Sequence, residues 1–568
     1  MGNNEPKWLA SGEVRETKLK KQQLRNLLKQ GVTRRELLQY GGLAGISFST
    51  LSALMCESAA TAATPTTASP TRGGTLTIAI ETFGQESFLA HKSATFTPGQ
   101  QAPLYEYVLY FDPDDPFVLK PGLAESWSTK DMKEWTFKIR KGVLWDKGQG
   151  EVTAEDVAFT LRLLSRDDAK SPDTPYWRAR IGKMKVVDPY TLTFNLDRID
   201  SDMAYQISSW RRSPIMCKKY IETVGEDAAD KAPVGSGPYR LSKHVPGSRV
   251  ELEAVGPSHW RVNPKWDRII FLNLPEDTTR LAMLDTGRAD VALITPEQLK
   301  EAQKRGYAIF PSDARGMFAI MFGGLFTPDH PEYQGKDPWQ DIRVREAMNV
   351  AIDRQAINKM FFAGLGTFEP LQGNNIAPPS TVAKYPIPYD PEKAKRLLKE
   401  AGYEKGFSPQ LMSYVYPGIP QTPQIMEAIA GYWEVIGIKA KITPMDQVTF
   451  RDYWIKDKTN GMLWPWNNPI APSFQARFEK FFYSKDIGFN IYTDAHLNAV
   501  FGDLIRTGDP DTRAKMLADA QVYLREKWAA IHIVNVPMRM YAGIPTKVGS
   551  WKPGPAAEWN PWEYICLL

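Results

Sequence analysis

Between Leu123 and Leu164 the chain reads LAESWSTKDMKEWTFKIRKGVLWDKGQGEVTAEDVAFTLRLL, which prescribes a strand, a turn and a capped helix. Trp135, Phe137 and Ile139 alternate with Thr136, Lys138 and Arg140, the period of a half-buried strand. Gly142 supplies the turn. Thr153 stands three residues before Asp156 and just ahead of an apolar run, a capping-box pattern with Asp in place of Glu. Val157, Leu161 and Leu164 then fall on one helical face. Read physically, this is a β-turn-α unit that builds core.

The same string resembles the signature segment of the family 5 extracytoplasmic solute-binding proteins, which serve ABC importers for peptides, opines, oligosaccharides and nickel complexes. Four further segments resemble that family's motifs in the family's order. They are Val234-Gly235-Ser236-Gly237-Pro238-Tyr239, the helix-Gly-strand unit from Asp277 through Gly287 to Ile294, VREAMNVAIDRQAI within Arg343–Phe362, and Tyr389 to Tyr403. One match arises easily by chance; five in order do not.

The resemblance implies an α/β fold, a two-lobe type II periplasmic binding protein with an extra subdomain in the first lobe. Residues 73–285 are expected to form lobe I, with the subdomain at about 105–230. Residues 286–520 are expected to form lobe II, and 521–568 to return to lobe I. The residues themselves suit that layout. Leu76 to Ile80 reads as a buried strand, and Met184 to Leu196 as two strands around an Asp-Pro turn. Arg343–Phe362 reads as one long helix. Asp390 as N-cap, Pro391 at the first helical position and Gly402 past the end punctuate another. Thr422-Pro423 opens a helix that buries Ile425, Ile429 and Ile436, and Ile438 to Ile442 alternates as a strand. Asp509-Pro510 starts a helix to about Trp528, followed by a strand from Ile531 to Val536. Helices alternating with short strands predict α/β layers with largely parallel sheets. The glycines of Val234–Tyr239 are expected to adopt backbone conformations closed to other residues.

The N-terminus carries a different signal. Residues 1–33 are polar and basic, Arg34-Arg35 follow, and Tyr40 to Leu54 is apolar but glycine-rich. Ala60-Thr61-Ala62 offers a small-residue cleavage site. Residues 1–62 therefore read as a twin-arginine-type signal peptide and 63–72 as a Thr/Pro/Ala linker, making the mature protein periplasmic. The apolar run is shorter than the ~20 residues a membrane span needs. A lipid anchor on Cys56 is the minor alternative, because Met55 occupies the position a small residue should hold. Cys217 and Cys566 are expected as two buried thiols, with a bond between them as the alternative in an oxidising compartment.

A net charge of +5 over 568 residues, with much of the Lys/Arg excess in the first 35 residues, gives no basic stripe for nucleic acid. None of the six His stands at metal-ligand spacing, and neither H-E-x-x-H nor G-x-S-x-G occurs. The chain reads as a binder rather than an enzyme, without cofactor or metal. The expected partners are a small solute and ABC permease and ATPase subunits, with the protein monomeric; a sensor or chaperone on the same fold is the remaining alternative.

The stretch Gly461 to Pro469, GMLWPWNNP, resembles the strand-end segment that lines the family's cleft. Peptide binders of that family commonly write W-x-x-D-Y there, the Asp pairing with the peptide ammonium. Here no acid occurs between Asp457 and Glu479. Trp464 and Trp466 offer apolar faces edged by N–H, and Asn467 and Asn468 offer donors and acceptors. That chemistry suits an oligosaccharide or opine better than a free ammonium, with Glu81 as an open substitute for the missing acid. Tyr414, Tyr416, Phe83, Arg315 and Trp177 complete the candidate ligand contacts. Core packing is the competing role for each tryptophan.

Overall fold

The computed structural model describes residues 73–84, 86–92, 99–111, 118–171, 173–209, 213–312, 315–368, 379–416, 419–469, 481–483, 490–537, 539–554 and 561–567. The signal peptide and linker expected at 1–72 lie outside them.

Two sheets organise the chain. The first has seven strands in the order Ala308–Pro311, Met540–Gly543, Val291–Ile294, Thr75–Ile80, Arg268–Asn273, Arg249–Ala254, Tyr239–Val245. The second has five: Lys441–Pro444, Gln410–Ser413, Met462–Pro469, Arg315–Phe322, Ala530–Pro537. Both are mixed rather than largely parallel. In the first sheet only the pairings of Thr75–Ile80 with its two neighbours are parallel. The reason is topological: hairpins and strands returning from the other lobe join as antiparallel neighbours, and helix crossovers account for only part of each sheet.

Each sheet has its own core. Leu76, Ile78, Ile269, Phe271 and Val291 bury one face of the first sheet, and Ala79, Ala292 and Ala542 the other. Phe318, Ile320, Leu411, Leu463 and Ile531 centre the second. Because Val291–Ile294 and Ala308–Pro311 belong to the first sheet, its run continues past 285 to Pro311. Ala530–Pro537 still belongs to the second sheet, so the final return to the first begins after Pro537 rather than at 521. Trp551 and Trp562 then stack at 4.9 Å in the first core, which holds the C-terminal tail there.

The opening segment folds as its pattern prescribes. Glu134–Ile139 lies in a four-stranded antiparallel sheet with Ala124–Thr129, Thr191–Asn195 and Met184–Asp188. Helix Ala154–Ser165 carries the full Thr153–Asp156 capping box and packs Val157, Leu161 and Leu164 into a separate core. This is the extra subdomain.

Three local expectations change. Arg343–Phe362 is two helices, Ile342–Val350 and Arg354–Phe361. Asp353 caps the second by accepting from the Ala356 N–H, and a side chain that offers the backbone this bond competes with helix continuation. The strand expected at Ile438 begins instead at Lys441, after Ile438 is buried beside the Gly437 turn. Gly235 and Gly237 do not adopt left-handed conformations; a Cβ on either would collide with the backbone of Pro103–Leu104 packed against it. Cys217 is a buried free thiol whose pKa burial pushes up to about 11, so it is not bonded to Cys566. Among the described residues no helix is long and apolar enough to cross a membrane.

Candidate functional site between the lobes

Two chain segments pass between the sheets. One runs from Pro311 to Arg315 and the other from Pro537 to Met540. They are paired on both sides of the crossing: Pro311 is in register with Met540 on one side and Arg315 with Pro537 on the other. The two sheets face each other across this crossing, which serves as the reference for placing the candidate residues.

Strand Arg315–Phe322 leaves the crossing and runs outward through the second lobe, with Met462–Pro469 antiparallel beside it. Met317 pairs with Asn468, Phe318 with Asn467, Ala319 with Trp466 and Met321 with Trp464. Asn467 and Asn468 therefore stand at the crossing end of the sheet, and Trp464 lies about 10 Å farther out at the usual rise per residue. On the other edge Asn535 also pairs with Met317, so Asn468, Met317 and Asn535 form one row across three strands. Asn467 and Asn535 are buried, 2% and 3% exposed. Asn535 exchanges both backbone bonds with Thr367. Asn535 escaped the sequence reading, although a lone amide inside the apolar run IHIVNVP was a signal.

Trp464 is 0% exposed and Trp466 4%. The Trp464 ring lies 5.5 Å from Phe450 and 6.3 Å from Trp454; that of Trp466 lies 6.3 Å from Trp454 and 5.1 Å from Phe481. Strand alternation puts both indoles on one face, where helix Gln447–Ile455 covers them. Among the described residues the Trp464 indole N–H nevertheless meets no acceptor, which costs about 1–3 kcal/mol in a buried setting. Tyr414 is buried against Phe450 at 5.3 Å and donates its hydroxyl to the Pro465 carbonyl at 2.6 Å; burial holds its phenol well above the ordinary range. Tyr416 is half-buried beside it, 6.1 Å away.

The remaining candidates sit apart. Phe83 is 1% exposed in the core of the first lobe. Trp177 is 0% exposed inside the subdomain core, edge-on to Tyr176 at 5.0 Å. The backbone of Arg315 pairs with Pro537 at the crossing; its side chain, like that of Asn468, is outside the described residues. The acid nearest in sequence to the strand, Asp457, is fully buried. It accepts from the Asn490 backbone and amide at 3.0 and 3.1 Å and faces His330 Nε2 at 3.3 Å. A cleft of about 350 Å³ between Phe326, Arg345, Tyr492 and Asn498 opens at the far end of strand Arg315–Phe322, away from the crossing.

A family model for bacterial extracellular solute-binding proteins, family 5, matches residues 118–489, more than half of the chain. The chain belongs to this family. Family 5 proteins bind small solutes and peptides for transport and work with ABC permease and ATPase components. A dipeptide-binding protein of Escherichia coli K12 is 28% identical over 489 residues, covering 78% of this chain and 85% of the relative. HbpA2 of Haemophilus parasuis superposes with a TM-score of 0.73 at 21% identity, over 87% of this chain and 100% of that one. MoaA of A. tumefaciens R10, solved with mannopinic acid, gives 0.66 at 21% identity, over 87% and 99%. These two likenesses establish the fold, that of the type II periplasmic binding proteins.

Proposed function

We propose that this family 5 protein captures a neutral or weakly anionic polar solute, an oligosaccharide or sugar-derived opine, between its lobes and delivers it to a membrane permease. The observation that carries this reading is the chemistry at the crossing end of the second sheet. Asn467 and Asn535 supply buried amides there, and the Asn468 backbone shares the row of Asn535. Trp464 and Trp466, packed farther out beneath helix Gln447–Ile455, are proposed contacts that an opened arrangement would have to expose. The strand brings no carboxylate, and Asp457 is bonded to the Asn490 backbone and amide. Burying an ammonium without a partner costs several kcal/mol, so a free peptide amino terminus is poorly served. Amide dipoles suit hydroxyls, which both donate and accept. Phe83, Tyr414, Tyr416, Arg315 and Trp177 remain proposed contacts in an opened or ligand-bound arrangement. The mature protein works as a monomer in the periplasm, exported by the twin-arginine route.

A second reading, a di- or oligopeptide, is favoured by the dipeptide-binding relative from Escherichia coli. Mass spectrometry of whatever co-purifies with the exported protein, followed by calorimetry with that compound, separates the two. The expected compound is polyhydroxylated and loses affinity in N467A. Recovery of peptides with free amino termini would overturn the preference.

A further inference from the structure

The lobes also meet away from the crossing. Arg513 lies in the first turn of helix Pro510–Glu526, which packs on the second lobe through Ala520 and Leu524. It is 3% exposed. Its Nη1 donates to the carbonyls of Leu504 and Thr507, so the guanidinium fork is held by its own lobe. Its Nη2 reaches the Ser201 hydroxyl at 3.1 Å, a residue 312 positions away in the extra subdomain of the first lobe.

The receiving turn is equally prepared. Asp200 Oδ2 accepts from Arg180 Nε at 2.5 Å and from the Tyr176 hydroxyl at 2.8 Å, and Asp200 Oδ1 accepts from the Asp202 N–H at 2.9 Å. The Ser201 hydroxyl stands 3.3 Å from Asp202 Oδ1. Asp200 and Asp202 are each 4% exposed, and both attract the Arg513 charge. One lobe thus presents a fixed cation and the other a fixed pair of carboxylates around a hydroxyl. A guanidinium suits this role because its planar fork serves partners on two bodies at once.

We propose that Arg513 and the Asp200–Asp202 turn form a latch that holds the lobes closed. Their contact is one that must break when the lobes separate, since among the described residues the chain passes from one sheet to the other only near Ser312 and Pro537. The latch rests on the two-lobe trapping proposed above and adds to it a determinant of how long a solute stays enclosed.

The test is pulsed electron resonance on the full chain without solute, with labels at K185C and K515C. Both sites are exposed, one on the subdomain and one on the latch helix. The expected result is a short distance that gives way to a longer one in R513A and in S201A, the closed-to-open ratio falling roughly tenfold. S201A and D202N leave the bonds from Arg513 to Leu504 and Thr507 intact, so an effect there is not a folding defect of the second lobe. Unchanged distances in all three variants would overturn the latch, even if a solute is captured. If the variants lengthen the distance but no solute is ever captured, the latch stands and the transport reading fails.

Discussion

Ser312 donates its backbone N–H to the carbonyl of Arg539 at 2.8 Å, and Arg539 returns its own N–H to the Ser312 hydroxyl at 3.1 Å. The two segments that pass between the lobes are therefore stitched together at the point of crossing. Ser312 is 3% exposed, so neither bond is open to replacement by water. A pair of crossing strands tied in this way bends as a unit, which favours rigid-body rotation of the lobes over independent fraying.

Removing the hydroxyl in S312A leaves the Arg539 N–H without its acceptor, at a cost of about 1–3 kcal/mol. The expected result is faster hydrogen exchange at the Arg539 amide with little change at Phe318, inside the second sheet. Equal exchange in both proteins would show that the hydroxyl does not tie the crossing.

Arg261 joins Glu106 and Glu563 at 2.8 and 2.9 Å, with side-chain exposures of 9%, 0% and 1%. Its guanidinium also lies over the Tyr110 ring at 4.5 Å. The network ties the start of the subdomain to the C-terminal tail. R261M leaves two buried carboxylates facing each other, and loss of one partner from such a group costs roughly 3–5 kcal/mol. A lower urea midpoint and faster proteolysis of the tail are expected; an unchanged midpoint would contradict the account.

Acid should weaken the fold through two imidazoles. Burial first, with repulsion from Arg354 and Arg525, holds His532 down at about 3. Burial first, with repulsion from Arg261, holds His259 down at about 4. In the unfolded chain both titrate near ~6.5, so the unfolded state takes up these protons first. Their contribution is complete above about pH 6.5 and is lost as pH falls toward 4 for His259 and toward 3 for His532. Calorimetry from pH 7 to pH 4 should show a falling Tm, with a shallower slope in H259Q. A slope identical to the parent's would count against His259.

G235A should destabilise by about 1–3 kcal/mol, the usual cost of overpacking, because the new methyl meets the Leu104 backbone. A companion variant at Gly142, where a Cβ meets nothing but φ is +79°, tests conformational strain alone. Thermal melts of the two separate steric collision from backbone preference. Equal melting of G235A and the parent would refute the collision.

Local signals did well where a few neighbouring residues decide the outcome. The Thr153–Asp156 box, the Asp390 cap and the helix from Thr422 all formed because hydrogen bonds and propensities within one turn suffice. The break at Ala351–Asp353 was the exception, since a buried Arg354 bonded to the Asn349 and Ile352 carbonyls helps hold it open.

The candidate site was only partly legible. Sequence pointed to the stretch from Trp464 to Asn468 but could not rank its members. Strand register ranks them, setting Asn467 and Asn468 at the crossing and Trp464 beneath helix Gln447–Ile455. Nothing local marked Ser312, Arg539, Asn535 or the Ser201–Arg513 pair, because each gains its meaning from a partner far along the chain.

Sequence by itself determined the family, the order of the elements and the absence of a carboxylate on strand Met462–Pro469. Periodicity, capping and composition are short-range properties, and they survive without knowledge of the fold. Tertiary structure alone decided where one lobe ends and the other begins, which residues share a row, and that Asp457 is bonded to Asn490. Those facts depend on sheet order and on contacts between distant segments, and the chain acquires them only when its cores close.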